Sequence, residues 1–398
     1  MTSASSSARC AADIAIVGAG PVGLALAGWL ARRSATQALS TVLVDARDPS
    51  ASFGDPRAIA VSYGSRMLLG ALGWPADATP IRHIHVSQRG HFGRTLIDRA
   101  EHGVDALGYV ARYGSLVDAL ARAVYGTSIQ WLTSTSARTL QQDAEGVTVT
   151  LDSPQGERVL CVRALVNAEG GLFQDAPREG ASDTRHRRDY AQTAIVGTVS
   201  VSAPKPNVAW ERFTAEGPLA LLPTGGTSQA DYALVWCCSP AEATRRAALP
   251  DEAFVRELGI AFGERMGRFT RVVGRAAFPL GLAIAPTLAK GRVAIVGNAA
   301  QTLHPVAGQG LNLGLRDAHT LVDAFSEHGT TPRALAAFNA RRALDRRLTI
   351  GATDTLARLF TVESRALGAL CGAALSALEF VLPLKRAIAR QMMFGQRR

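Results

Sequence analysis

The chain has 398 residues, of which 47% are hydrophobic and 19% are charged, the balance of a globular protein with a large core. The formal net charge is +10 and comes almost entirely from arginine, which indicates a solvated basic surface, an anionic cofactor or an anionic membrane surface. A nucleic-acid partner is not expected, because no compact basic run is interleaved with aromatic residues, which form only 6% of the chain.

The N-terminal segment, residues 1–12, is rich in serine and alanine and lacks the apolar stretch of a secretion signal, so we expect a disordered start. The cysteines are Cys10, Cys161, Cys237, Cys238 and Cys371. They form no Cys-x-x-Cys pair and no cluster with histidine, so no metal site is predicted. A reducing cytosol is the simplest compartment for this pattern, and a cytoplasmic location is expected.

The first structured segment predicts a strand, a glycine turn and a helix. Residues 14–17 are apolar, the turn follows, and residues 24–30 continue as an apolar helix. Gly18 permits a tight turn, Gly20 lets backbone N–H groups approach a pyrophosphate, and Gly23 lets the helix lie close to the strand. This order of elements is typical of dinucleotide binding.

A second apolar run, residues 42–44, ends at Asp45. That carboxylate stands about 20 residues past the glycines, where a ribose-binding acid is expected. A glycine pattern alone also fits a structural turn. The strand, the helix and the acid together favour a dinucleotide site.

The next segments predict one candidate cofactor residue and a hairpin. Arg57 lies close in sequence to the expected ribose site, where it would contact a pyrophosphate or a second anionic cofactor, unless it is a surface arginine. Residues 81–97 alternate around a turn and predict a hairpin outside the dinucleotide-binding sheet. The spacing of apolar residues predicts a helix over residues 115–124.

The middle of the chain predicts further strands. One of them, residues 164–168, ends at Glu169, a second place where backbone would meet the cofactor. Residues 183–189 are predicted to form a charged link, and the runs after them predict an antiparallel sheet. No second glycine fingerprint occurs there, so a separate nicotinamide-binding fold of the same kind is not expected.

A second candidate cofactor-binding segment begins with a predicted strand at residues 291–296 and a turn at Gly297 and Asn298. A loop with spaced glycines follows and leads into a predicted helix at residues 311–325. Such a loop exposes several N–H donors, and the helix dipole favours negative charge there. Asn298 would hydrogen-bond a sugar hydroxyl. A structural loop is the alternative for this segment.

The C-terminal region is predicted to be helical over residues 330–359 and again over residues 366–384. The second run contains one charge, Glu379, and is followed by basic residues. Its length would suffice to span a membrane. Its alanine and glycine content favours instead a packed core helix or an interfacial membrane contact.

These motifs resemble those of the FAD-dependent aromatic hydroxylases with the p-hydroxybenzoate hydroxylase fold, and most of all the ubiquinone-biosynthesis hydroxylases of the 2-octaprenyl-6-methoxyphenol hydroxylase branch. The resemblance is carried by Gly18-x-Gly20-x-x-Gly23 with Asp45, by residues 55–62 with 72–74, and by residues 297–314. Two departures stand out. Asn298 replaces the family's usual aspartate, as we expect for the methoxyphenol branch, and Glu169 replaces the aspartate of the middle Asp-Gly motif.

The resemblance implies an α/β fold: a Rossmann-like FAD-binding domain, an inserted antiparallel β-sheet substrate domain and C-terminal helices. The implied FAD-binding domain consists of three separate segments, at residues 10–80, 101–180 and 276–330. Between them lie a substrate-domain hairpin at 81–100 and the substrate domain at 181–275, and a helical region follows at 331–398. The length suits either two domains or one domain with a large insertion.

The resemblance also implies the site residues. FAD would contact Gly18, Gly20, Pro21, Val22, Gly23, Asp45, Ala46, Arg57, Arg112, Glu169, Gly297, Asn298, Pro305, Gly308, Gly310, Leu311 and Asn312. His304 and Pro305 would line the reactive face of the flavin, although a His-Pro pair in a loop is more often structural. NAD(P)H would reduce the flavin, and a C4a-hydroperoxyflavin formed with O₂ would hydroxylate the ring.

The implied substrate is a polyprenylated phenol whose tail stays in the bilayer, so peripheral attachment at the inner face of the cytoplasmic membrane is expected through the basic, apolar C-terminus. Other ubiquinone-biosynthesis proteins are candidate partners. Two alternatives stay open: a flavin monooxygenase acting on another aromatic or lipid substrate, and a non-catalytic FAD-binding scaffold in a biosynthetic complex.

Overall fold

The computed structural model describes residues 10–90, 93–169, 186–359, 372–373, 376–377 and 379–395. Its strands are β1 Ala12–Val17, β2 Thr41–Val44, β3 Ala58–Ser62, β4 Thr79–Ile81, β5 His83–Gln88, β6 Arg94–Asp98, β7 Gly108–Arg112, β8 Gln130–Leu132, β9 Ser136–Gln142, β10 Val147–Ser153, β11 Gly156–Asn167, β12 His186–Val201, β13 Val208–Thr214, β14 Gly217–Gly225, β15 Asp231–Cys238, β16 Phe269–Ile284, β17 Ala289–Lys290, β18 Val293–Ile295 and β19 Gln301–Thr302. Its α-helices are α1 Pro21–Arg32, α2 Ser50–Phe53, α3 Tyr63–Leu69, α4 Tyr113–Val124, α5 Pro240–Ala247, α6 Asp251–Phe262, α7 Gln309–His328, α8 Pro332–Leu359 and α9 Leu382–Phe394.

The first sheet has the strand order β17-β18-β11-β1-β2-β8, with β10 and β9 attached to β11. Strands β18, β11, β1, β2 and β8 are parallel. Helix α1 covers this sheet because Leu24, Leu26 and Leu30 are buried against Ile14 and Ile16 of β1. Burial of each of these side chains stabilises the fold by about 1.5–3 kcal/mol. The loops that follow the parallel strands meet at one edge, the usual ligand crevice of such sheets.

The second sheet has the order β19-β16-β12-β15-β14-β13-β5-β6. It is antiparallel except for the β13–β5 pair. Helices α5 and α6 cover one face, where Trp236 of β15 meets Phe254 of α6 with ring centroids 5.8 Å apart. Side chains alternate along the strands, so Ala233 and Val235 point to the opposite face, which is turned toward the crevice of the first sheet.

The third sheet is small, with the order β3-β7-β4. Strand β3 pairs with β7 so that Ala58 lies opposite Arg112. This pairing brings the segment that ends at Arg57 beside the start of helix α4, and the backbone N–H of Tyr113 donates to the carbonyl of Arg57 at 2.7 Å.

The C-terminal helices pack on the cofactor-binding region of the chain through buried ion pairs. Arg342 of α8 lies 2.6 Å from Asp317 of α7, and Arg316 of α7 lies 3.0 Å from Asp345 of α8. Lys385 of α9 is 1% exposed and lies 2.8 Å from Glu101. None of the helices in the described residues is both long and apolar enough to cross a membrane.

The predicted fold class is confirmed: a Rossmann-like parallel sheet, an antiparallel sheet and C-terminal helices make up the described chain. The charged link predicted at residues 183–189 is wrong from residue 186 onward, because those residues pair with β16 as the start of β12. The domain limits stay a prediction, and β16 runs through the limit set at residue 275. Most of the helix predicted at 366–384 lies outside the described residues.

Candidate functional site

A cavity of about 820 Å³ opens between the crevice of the first sheet and the free face of the second. One wall carries residues of both glycine-containing segments, and the other carries the middle of strands β12, β14, β15 and β16. It is lined by Gly18, Gly20, Pro21, Val22, Asp45, Arg47, Pro56, Arg57, Ala58, Ile59, Tyr113, Ala168, Glu169, Val196, Gly197, Thr198, Leu222, Ala233, Leu234, Val235, Val273, Gly274, Phe278, Gly297, Asn298, Gly310 and Leu311.

The first glycine turn is shaped by two close backbone approaches. Gly18 has φ +105, and a Cβ there would lie 2.8 Å from the backbone nitrogen of Glu169. A Cβ on Gly23 would lie 1.9 Å from the carbonyl oxygen of Gly18, so Gly23 sits behind the turn and does not line the cavity. Gly20 faces the cavity and begins α1 with no side-chain cap. The first N–H groups of α1 are therefore free to bind an anion.

Asp45 stands at the end of β2 beside this turn. Its Oδ2 accepts a hydrogen bond from the backbone N–H of Ala19 at 2.5 Å, and its Oδ1 accepts one from that of Arg47 at 2.8 Å. These bonds fix the carboxylate at the cavity wall, where it can accept from a ribose hydroxyl. The next residue, Ala46, does not line the cavity.

The second glycine segment reaches the same cavity from the other side. Gly297, with φ +63, and Asn298 follow β18, while Gly310 and Leu311 lie in the first turn of α7. Helix α7 has no side-chain cap and no acidic residue in its first turn. A Cβ added to Gly310 would meet no atom within 4 Å, so its backbone is open to the cavity.

Asn312 and Gly308 support this segment from behind. The amide of Asn312 accepts from the backbone N–H of Ser62 at 2.8 Å and donates to the carbonyls of Ala60 at 3.1 Å and Gly308 at 2.7 Å. These bonds tie strand β3 to the start of α7. The structure therefore places Asn312 and Gly308 outside the cavity lining, next to the residues that form it.

Arg57 lies at the cavity wall in a fixed orientation. Its guanidinium pairs with Asp55 at 2.6 Å and lies over the ring of Tyr113, 4.9 Å from the centroid. The hydrogen bonds from Arg57 lower the pKa of Asp55, while burial raises the pKa of Tyr113. The guanidinium of Arg57, held by Asp55, and the ring of Tyr113 therefore both lie at the cavity wall, where a ligand can contact them.

Glu169 belongs to the cavity lining, whereas Arg112 does not. Glu169 lines the cavity, and burial together with nearby Asp45 raises its pKa. Arg112 is exposed over 71% of its side chain, lies 3.8 Å from Asp77 and does not belong to the lining. Arg112 is the last residue of β7 and Tyr113 the first of α4, and of the two only Tyr113 lines the cavity.

His304 and Pro305 lie beside the cavity and not in its lining. The Nδ1 of His304 accepts from the backbone N–H of Val306 at 3.2 Å, so its Nε2–H donates to the side-chain oxygen of Gln192 at 3.1 Å. Burial lowers the pKa of His304 to about 4, and the ring is therefore neutral at pH 7. These contacts favour a role in holding the loop.

The structure adds wall residues that the sequence reasoning did not single out. Arg47 follows Asp45 by two residues and Tyr113 directly follows Arg112, and these positions beside predicted cofactor residues were the available signal. The second wall, around Val196, Leu222 and Val235, had no signal in local sequence, because its position depends on the pairing of strands far apart in the chain.

The backbone of the site fits FAD. Two uncapped helix starts, a carboxylate fixed beside the first and a backbone approach left open at Gly310 match the phosphates, ribose and ring edge of a dinucleotide flavin. A family model described as an FAD binding domain matches residues 11–346. The fold and the site thus define an FAD-binding monooxygenase.

Similar proteins narrow this class. The chain is 33% identical to a ubiquinone hydroxylase, UbiL, of Rhodospirillum rubrum, over 97% of this chain and 90% of that protein. It is 29% identical to a 3-demethoxyubiquinol 3-hydroxylase of Escherichia coli, over 84% of this chain and 86% of that protein. A solved p-nitrophenol 4-monooxygenase, PnpA, from Pseudomonas putida superposes with a TM-score of 0.76 at 16% identity, over 97% and 99% of the two chains. The chain belongs to the FAD-binding domain family and, within it, to the ubiquinone-biosynthesis hydroxylases, which are FAD-dependent aromatic hydroxylases.

Proposed function

We propose that this enzyme hydroxylates the aromatic ring of a polyprenylated phenol in ubiquinone biosynthesis, using NAD(P)H and O₂. The observation that carries the proposal is the continuity of the cavity, which runs from the FAD-binding glycines to an apolar wall at Leu222, Val235 and Phe278. The names of the similar proteins support the pathway. Asn298 supports the methoxyphenol branch.

Bound FAD supplies the redox chemistry and the activation of O₂. The chain's own residues bind, orient and shield the reactants. The apolar side chains of the second sheet would hold the phenol ring and exclude water, and the open N–H groups at Gly310 and Leu311 would face the edge of the flavin where negative charge grows on reduction.

Peripheral membrane attachment belongs to the same proposal. The described residues of the C-terminus expose apolar side chains next to arginines: Phe380 is 85% exposed, and Leu384 is 52% exposed. Arg386 and Arg390 on α9 are also exposed. Apolar area combined with positive charge is the composition that binds anionic bilayer surfaces, where a polyprenyl tail resides.

The proposal is tested with the purified holoprotein and 2-farnesylphenol as a short-tailed probe. We expect the probe to stimulate NADPH or NADH oxidation and to gain one oxygen atom, detected by mass spectrometry with isotopically labelled O₂. If oxygen is incorporated only into a different aromatic or lipid compound, the proposed substrate class is wrong. If the FAD-loaded protein oxidises neither NADPH nor NADH in the presence of 2-farnesylphenol or of the other aromatic and lipid compounds, the result supports the non-catalytic scaffold.

A further inference from the structure

Glu211 lies in the middle of β13, on the sheet face that is turned toward the cavity. It pairs with Ala220 of β14 and with Val86 of β5. Ala220 in turn pairs with Val235 of β15, which lines the cavity. Two strand spacings put the Cα atoms of Glu211 and Val235 about 10 Å apart, a span that an aromatic ring and a glutamate side chain bridge.

The carboxyl group of Glu211 is buried without a partner for one of its oxygens. No residue in the described ranges hydrogen-bonds its Oε1. The oxygen Oε1 is buried, while Glu211 as a whole is half-buried and lies on the cavity-facing side of the sheet without belonging to the cavity lining. Leaving a carboxyl oxygen unpaired in such a place is unfavourable, and a water, an ion or a ligand commonly supplies the missing partner.

The strand partners of Glu211, Val86 and Ala220, carry no ionisable group. Among the described residues, the titratable neighbours are the thiol of Cys237 on β15 and the hydroxyl of Tyr190 on β12, which packs with Val86 and donates to Asp354 at 3.0 Å. Burial raises the pKa of Glu211 to about 7. Burial likewise raises the pKa of Cys237 well above its ordinary value, and burial with the bond to Asp354 raises that of Tyr190, so both stay neutral and Glu211 is the candidate proton acceptor among these described groups.

We propose that Glu211 binds the hydroxyl group of the phenol substrate and accepts its proton. The O–H bond of the phenol breaks, the proton moves to a carboxylate oxygen of Glu211, and the electron pair stays on the ring oxygen. The resulting phenolate ring is richer in electrons and reacts more readily with an electrophilic oxygen atom. This role rests on the proposed function, since it requires a phenol between the flavin and β13.

His304 is the other acid–base candidate near the cavity, but its two ring nitrogens are already bonded to Val306 and Gln192. The side-chain nitrogen of Gln192 is in turn bonded to the carbonyl of Glu216 at 3.1 Å. Moving a proton to His304 would break this chain of bonds. The Oε1 of Glu211 has no such bond to lose among the described residues.

The test compares the wild type with Glu211→Gln, which keeps the shape but cannot accept the proton. The control is Glu145→Gln, on an exposed turn far from β13. For each loaded protein, kcat/KM for 2-farnesylphenol is measured between pH 5.5 and pH 9 by hydroxylated product. We expect the wild-type value to rise through about pH 7, and the E211Q value to fall about 100-fold or more and to lose that rise.

A second measurement shows that E211Q is folded: at pH 6 its FAD content should match that of the control, and its unfolding temperature should be at least as high. If the wild type is active and folded E211Q keeps both its rate and its pH profile, the role of Glu211 is overturned while the proposed function stands. If the wild type itself hydroxylates no phenol, the proposed function fails and the role of Glu211 fails with it.

Discussion

At the scale of single residues, the first glycine turn has no room for a side chain at Gly18 or at Gly23. The conformation of Gly18, at φ +105, strains any L-residue, and its backbone touches the end of β11. Gly23 is needed for a different reason, because α1 rests directly on the turn. Neither residue is selected for contact with a ligand alone. Together they fix the position of Gly20, whose N–H region faces the cavity.

Glu211 gives a prediction about stability that is independent of turnover. Its pKa of about 7 in the folded protein exceeds the value of about 4.3 for an ordinary glutamate. The folded state therefore holds this proton more tightly, and wild-type stability from this group is lost as pH rises from about 4.3 through about 7. We expect the unfolding free energy of E211Q to exceed that of the wild type by about 1–3 kcal/mol above pH 7, with a smaller difference near pH 5.

Thermal or urea unfolding of the two apoproteins across pH 4.5–8.5 measures this difference. A gap between E211Q and the wild type that stays constant over the whole range would contradict a carboxyl that is held protonated by burial.

At the scale of elements, helix α8 supports the second glycine segment without entering the cavity. Arg346 donates from Nε to the side-chain oxygen of Gln301 at 2.8 Å and from one terminal nitrogen to the carbonyls of Ala285 at 2.7 Å and Ala300 at 3.1 Å. Gln301 also donates to Asp317 of α7 at 3.0 Å. One buried guanidinium thus holds the loop that begins at Asn298.

We predict that Arg346→Met lowers FAD affinity while Arg347→Met, one position along on the exposed face of α8, does not. Removing the guanidinium takes the donor away from the carbonyl of Ala285 and from the side-chain oxygen of Gln301, at a cost of about 1–3 kcal/mol, and frees the loop to move. Flavin fluorescence titration of the two apoproteins measures the affinity. Equal FAD affinity in the two folded variants would show that α8 does not position the loop.

The elements that the sequence predicted well are those whose signals are local. The turn at Gly18, the strand ending at Asp45 and the helix after Gly308 each have a short-range physical cause and appear in the structure. Arg112 was placed near the cofactor by resemblance; its side chain is 71% exposed and lies next to Asp77, and its contact with FAD stays a prediction. The position of Glu211 depends on the pairing of β13 with β5 and β14, and no local pattern specifies that register.

At the scale of the whole molecule, a group of exposed apolar side chains lies near the C-terminal end of the described chain. Phe380, Leu384 and Ile388 are each more than 40% exposed and stand beside Arg386 and Arg390. Lys385, between them in sequence, points inward to Glu101 and anchors the segment to the rest of the fold. The outer side is therefore free to meet a bilayer while the inner side is held.

We predict that the double variant Phe380→Ser with Leu384→Ser loses binding to vesicles of phosphatidylglycerol and phosphatidylethanolamine. Co-sedimentation measures binding, and Ile260→Ser, which alters another exposed apolar residue that is 66% exposed, is the matched control. Undiminished sedimentation of the double variant would exclude this surface as the membrane contact.

The central claim is that two glycine segments, nearly 300 residues apart in sequence, hold one FAD between them. Gly20→Ala and Gly310→Ala test it directly, because a Cβ at Gly310 meets no protein atom within 4 Å and one at Gly20 comes no closer than 3.7 Å to the hydroxyl of Tyr113. The measurement is a flavin titration of the wild-type and variant apoproteins. The account predicts one FAD per wild-type chain and affinities about tenfold weaker in both variants, a change of about 1.4 kcal/mol, with unfolding temperatures unchanged. A wild type that takes up no FAD, or variants that bind it as tightly as the wild type, would contradict it.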